Sequence, residues 1–266
     1  MKTKCLLILL CALAAPVASR AQGTVNELEN DFATRTSIAV DKRLAKGLHL
    51  TAEYQLRTEN ALSKIDRHQA SLGLTYKFNN WLKGGLEYTF FDRYGTSAGW
   101  EPRHRASAFL TFGYRVGDWR FSLREMAQIT HKTEDLNIYQ ENRNPFTLKT
   151  RFKVQYKGFK SMEPYVFFEL KTVLNDPACT ATWNTTQQAY TAYSFNGYTD
   201  TYINRYRGGL GLEWSLNKHN ALEFYGLFDY CYDKNIDTNK ESTRLKSLTY
   251  DQTFRPTVGI GYKFSF

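Results

Sequence analysis

The stretch RHQASLGLTYKF, Arg67 to Phe78, decides the fold. Its odd positions Arg67, Gln69, Ser71, Gly73, Thr75 and Lys77 are polar or small, while Ala70, Leu72, Leu74, Tyr76 and Phe78 are apolar. A period of two belongs to an extended strand, whose successive side chains point to opposite faces. The pattern returns where Ala106, Ala108, Leu110, Phe112 and Tyr114 alternate with Arg105, Ser107, Thr111, Gly113 and Arg115. It returns again where Phe146, Leu148, Phe152, Val154 and Tyr156 alternate with Lys149, Arg151, Lys153 and Gln155.

The same alternation predicts strands at 31–44, 48–58, 67–79, 81–94, 103–115, 119–131, 146–156, 162–174, 201–216, 221–233 and 252–266. Each can cross an apolar layer, which takes about 9 to 11 residues of tilted strand. Short turns at 45–47, 79–80, 116–118, 157–161 and 217–220 alternate with longer loops at 59–66, 95–102, 132–145, 175–200 and 234–251. Transmembrane barrels show this asymmetry, with the short turns periplasmic. Aromatics stand beside the short turns (Tyr76, Phe78, Tyr114, Trp119, Tyr156, Trp214, Phe264, Phe266) and again nearer the loops (Tyr88, Phe90, Tyr206, Tyr230, Tyr232). Such rings favour the headgroup level, where one end is apolar and the other wet.

The expected fold is therefore all-β, a transmembrane antiparallel up-and-down β-barrel of 10 to 12 strands. The runs above number eleven, and single-chain bacterial barrels close with an even number. Either Thr24 to Asn30 adds a strand, giving twelve, or the segment Phe32 to Val40 stays out of the wall, leaving ten. Twelve is the preferred count.

The first residues fit export. Lys2 and Lys4 precede an apolar stretch from Cys5 to Ala15, and Ser19-Arg20-Ala21 offers small residues for cleavage after Ala21. The expected organisation is a signal peptide at 1–21 and a barrel at 22–266, in the bacterial outer membrane. Cleavage would lower the net charge from +9 by three, to +6. No Lys/Arg run exceeds two residues, so no nucleic-acid partner is expected. Mean hydropathy is −0.51, which excludes spanning helices and not strands whose apolar residues occupy every second position. The last strand puts Val258, Ile260, Tyr262, Phe264 and Phe266 on one face. The expected partners are outer-membrane lipid and the outer-membrane assembly machinery, through that strand ending at Phe266.

The opposite face points inward. It carries Glu53, Arg57, Glu87, Arg105, Arg115, Arg124, Arg151, Glu169, Arg205, Arg207, Glu213 and Glu223 as lumen charges, with cations in excess. Such a lumen is either plugged by its own ion pairs or holds a slim anion-favouring water path. Glu125 falls on the lipid side, and a bulge returning it to the lumen is expected. His68 and Ser71, like His104 and Ser107, are three apart and so face opposite sides of a strand, and neither His activates its own Ser. His49, His68, His104, His131 and His219 are scattered, and no metal, cofactor or phosphate loop is expected. Of the cysteines only Cys179 and Cys231 survive cleavage, and a loop-tethering disulfide between them is one possibility. The Tyr- and Asn-rich loop 175–200 suits ligand contact or plain polar cover.

The segments LHLTAEYQLR (48–57), LGLTYKFNNWLKGGLEY (72–88), EPRHRASAFL (101–110), FSLRE (121–125) and GIGYKFSF (259–266) resemble the outer-membrane family catalogued as domain of unknown function 2490. The resemblance implies an outer-membrane location and supplies no activity, catalytic residue or substrate. Three functions stay open: a narrow pore for small anionic solutes, a structural or assembly barrel with a salt-bridge-sealed lumen, and a lipid hydrolase at the rim. A non-enzymatic role is expected.

Overall fold

The computed structural model describes residues 23–95, 99–187 and 189–266. The expected signal peptide lies outside them. Fourteen strands follow in order: β1 (Thr24–Asn30), β2 (Ala33–Ala45), β3 (Leu48–Glu59), β4 (Lys64–Lys77), β5 (Leu82–Gly95), β6 (Gly99–Val116), β7 (Trp119–Lys132), β8 (Phe146–Tyr156), β9 (Met162–Asp176), β10 (Cys179–Asn184), β11 (Ala189–Phe195), β12 (Asp200–Ser215), β13 (Asn220–Thr238) and β14 (Leu245–Ser265).

Strands β2 to β9 pair antiparallel with their chain neighbours, β9 pairs with β12, and β12, β13 and β14 complete the series. β14 then returns to β2 and closes a barrel of eleven strands. The closing pair is parallel, running from Thr257 opposite Ala33 to Ser265 opposite Asp41. An odd number of up-and-down strands leaves the first and last pointing the same way, so a parallel seam follows directly.

Thr24 to Asn30 does form a strand, yet it adds no stave to the wall. β1 pairs with Thr249 to Phe254 of β14, on the edge that β2 takes from Thr257 onward. The two lie end to end along one seam. The preferred count of twelve thus gives way to eleven, within the expected ten to twelve, and antiparallel order fails at the seam alone.

The short turns close tightly. Gly47 (φ 80°) ends one two-residue turn and Gly117 (φ 56°) begins another, both in the left-handed region, which glycine enters without a Cβ clash. At the other end β6, β13 and β14 run further than their alternation suggested. The expected loop 175–200 contains its own antiparallel hairpin, β10–β11. There Tyr193, Ile236 and Leu245 form an apolar cluster joined by Cys179, Ala181, Tyr190, Phe195 and Leu248.

Cross-strand pairing puts the apolar set outward and the charged set inward. Leu86 (64 % exposed) and Tyr114 (71 %) represent the outer face, Phe91 (2 %) and Leu227 (4 %) the inner. The bulge expected at Glu125 is absent. β7 keeps unbroken register with β6 and β8, so Glu125 stands beside outward Leu110 and Thr150. Its carboxylate accepts from Thr150 Oγ1 at 2.8 Å, a local partner that removes the need for a detour into the lumen.

Candidate functional site

The lumen is built from strand parity, and parity brings rings inward as well as charges. Phe91, Phe109, Tyr165, Phe167 and Tyr225 share the inward face with the charged residues. Four of these rings face a glycine on the next strand: Phe109 opposes Gly85, Tyr165 opposes Gly211, Phe167 opposes Gly209 and Tyr225 opposes Gly259. A Cβ on Gly209 would meet the Phe167 ring at 2.3 Å, and one on Gly259 the Tyr225 ring at 2.1 Å. Glycine therefore makes the room in which each ring lies flat against the wall.

The rings in turn carry cations. The guanidinium of Arg105 lies 4.6 Å from the Phe91 centroid, that of Arg124 4.0 Å from Phe109, and that of Arg151 4.6 Å from Phe167. Stacking orients a guanidinium while leaving its N–H edges free to donate.

One side of the lumen, formed by β9, β12 and β13, gathers its arginines on two shared acids and leaves Lys171 of β9 without a carboxylate within 4.0 Å. Glu169, 2 % exposed, accepts from Arg151 at 2.6 Å and Arg205 at 3.2 Å, with Arg207 at 3.5 Å. Arg207 also grips Asp229 with two donors, Nε at 2.5 Å and a terminal nitrogen at 2.7 Å, and Arg35 reaches Asp229 at 3.4 Å. Bidentate, charge-assisted contacts of this kind hold buried charges that water no longer reaches. Glu213 pairs with Lys153 at 2.7 Å, and Glu223 accepts from the Tyr165 hydroxyl at 2.6 Å.

The other side, formed by β3 to β7 with Lys149 of β8, is not matched at mid-height. Among the described residues Arg57, Arg105, Arg124 and Lys149 have no carboxylate within 4.0 Å. Arg57 donates to Gln55 at 2.6 Å and Gln69 at 3.2 Å, and Arg105 to the Thr130 hydroxyl at 3.0 Å. Among the described residues Glu87 accepts only from Thr89, at 3.3 Å. The four cations, with Glu53 and Glu87, line a cavity of about 580 Å³. A second cavity of about 350 Å³ at the short-turn end shares Thr51 and Lys263 with it.

Of the twelve charges expected in the lumen, Arg115 alone is displaced. It sits exposed at the short-turn rim and donates to Gly117 O at 2.9 Å, because its strand ends one residue later. The inward aromatics were not anticipated, although each shares the parity of neighbouring charges such as Glu163 and Glu169.

Cys179 and Cys231 are separate free thiols. Cys179 packs on the cluster holding Ile236, five residues beyond Cys231 along β13. That is roughly 16 Å of strand, beyond the reach of a disulfide. Burial holds the Cys179 thiol above its usual range. On the outer face His68 Nδ1 shares a hydrogen bond with the Tyr54 hydroxyl at 2.7 Å, and His104 Nδ1 with that of Tyr88 at 2.6 Å. Among the described residues no three His, Cys, Asp or Glu are grouped to hold a metal ion.

No curated protein matches the chain. The family model described as protein of unknown function (DUF2490) matches residues 33–240. That span begins with β2 and runs through β13, so it takes in every wall strand except β14. The resemblance drawn from the segments between Leu48 and Glu125 falls inside it. The chain belongs to the DUF2490 family of proteins of unknown function.

Proposed function

We propose that the protein is an outer-membrane β-barrel whose lumen admits small anionic solutes from the short-turn end. One observation carries the reading. Arg57, Arg105, Arg124 and Lys149 line one continuous cavity without carboxylate partners, so the field in the lumen favours anions. The membrane setting is supported by the outward belt, from Leu72 and Leu86 to Phe228 and Val258, which stands exposed and would be unfavourable in water. In this reading the outer face meets lipid, β14 is offered to the assembly machinery, and no reaction is catalysed.

The test is planar-bilayer recording of the refolded full chain under a salt gradient. Small conductance steps with a reversal potential set by the anion are expected. A silent bilayer at every salt concentration removes the pore.

A second reading, a structural barrel with a sealed lumen, draws on the Glu169–Arg207–Asp229 network, which lies almost wholly buried at mid-height. It expects no conductance, and inward Arg and Glu side chains shielded from water-soluble reagents.

A further inference from the structure

Three cations stand abreast inside the barrel. Lys149 on β8 is directly opposite Lys171 on β9, and Lys171 is directly opposite Arg205 on β12. Directly paired positions lie about 5 Å apart, and like charges there repel. Arg105 of β6 lines the same cavity as Lys149.

The local acids answer this charge only in part, since Glu169 near Lys149 and Asp233 near Lys171 are both engaged elsewhere. Glu169, two residues from Lys171, is shared among Arg151, Arg205 and Arg207. Asp229 is taken by Arg207 and Arg35. Asp233, two residues beyond Cys231 on β13, accepts from Asn204 Nδ2 at 3.1 Å. Lys149 and Lys171 have neither a carboxylate within 4.0 Å nor a side-chain hydrogen bond among the described residues, and the buried Arg205 Nε has no partner. Such an arrangement is unfavourable unless something anionic shares the space.

We propose that Lys149, Lys171, Arg205 and Arg105 form a lumenal binding site for a compact, doubly charged oxyanion, namely phosphate or the phosphoryl group of a phosphate monoester. The row offers two ammonium groups as point charges and guanidinium N–H donors oriented by ring stacking and by Glu169. That combination suits several oxygens on one small centre. A monocarboxylate brings one charge and would leave the row in excess. The proposal rests on the reading of a lumen that solutes can enter, and it turns that reading from a general preference into a saturable site.

The test uses the full chain refolded in detergent, titrated calorimetrically with inorganic phosphate, glycerol phosphate and acetate. Saturable binding of a phosphoryl ligand is expected, with acetate silent. Binding of both phosphoryl ligands assigns the phosphoryl group itself, and binding of glycerol phosphate alone assigns the monoester. The pair Lys149→Gln and Lys171→Gln together should weaken binding by at least about tenfold, from the loss of two charge-assisted contacts. Lys171→Gln alone should give an intermediate loss, and Lys153→Gln, whose partner is Glu213, none. A heat-dependent shift in gel migration confirms that each variant is folded. No saturable binding, or equal affinity in the double variant, overturns the site. A silent bilayer with phosphate binding intact removes the pore and leaves the site; a conducting protein indifferent to phosphate removes the site and leaves the pore.

Discussion

The two sides of the lumen solve one electrostatic problem in opposite ways. On β9, β12 and β13, Glu169 and Asp229 are each shared among arginines, and the charges bind one another. On β3 to β8, Arg57, Arg105 and Arg124 rest on amides, a hydroxyl and aromatic faces. Both arrangements keep a charge inside a barrel. Ion pairing consumes most of the donors on that side and spares Lys171; ring stacking leaves donors pointing into the cavity, so the other side stays available to solute. Whether a small barrel is sealed or open is thus set by where its few inward acids fall.

The largest effect should come from removing the shared acid. Glu169→Gln leaves Arg151 and Arg205 without a carboxylate and Arg207 with Asp229 alone, and is expected to destabilise the barrel by about 3–5 kcal/mol, read from urea unfolding in lipid vesicles. Glu87→Gln on the unmatched side should change stability by less than about 1 kcal/mol. Equal effects would erase the distinction between the sides.

A smaller effect tests how rings are seated. Gly209→Ala pushes a methyl group into the Phe167 ring and should lose about 1–3 kcal/mol. Adding Phe167→Leu should restore much of that loss. Failure of the second change to help would mean that the glycine is needed for its backbone and not for the space above it.

The smallest effect concerns the outer face. Glu125→Leu replaces an outward carboxylate with an apolar side chain and should stabilise the barrel in lipid by about 1 kcal/mol. A loss of stability would mean that its hydrogen bond to Thr150 outweighs the burden of a carboxylate on the apolar outer face.

Much of this architecture is legible in the chain, because a two-residue period survives any error about neighbours. Arg67 to Phe78 announces both faces of β4 without reference to another strand. What escapes is whatever depends on register. An inward face searched by its charges passes over Phe91, Phe109, Tyr165 and Phe167, although parity points them the same way. The glycine partners of Phe109, Tyr165 and Phe167 lie tens of residues off and become recognisable only once strands are aligned. The same gap explains the row Lys149, Lys171 and Arg205, three separate inward cations until pairing sets them side by side. The hairpin β10–β11 stayed hidden because its strands are only 6 and 7 residues long and its alternation too polar to stand out. Closure failed for a different reason: the number of strands was read correctly at eleven, and the general preference for even barrels argued against it.

The parallel seam also decides where the chain's two extremities lie. β2 begins beside the long loops, where Asn60 N donates to Asp31 Oδ1 and Ala61 N to Phe32 O, and β14 finishes beside the short turns, where Phe266 N donates to Asp41 O. In an even-stranded barrel both extremities share one side of the wall. Here, if the short turns face the periplasm, residues Gly23 to Asn30 are displayed outside the cell. A peptide tag at Gly23 would then meet antibody on intact cells, while one following Phe266 would stay hidden until the outer membrane is opened.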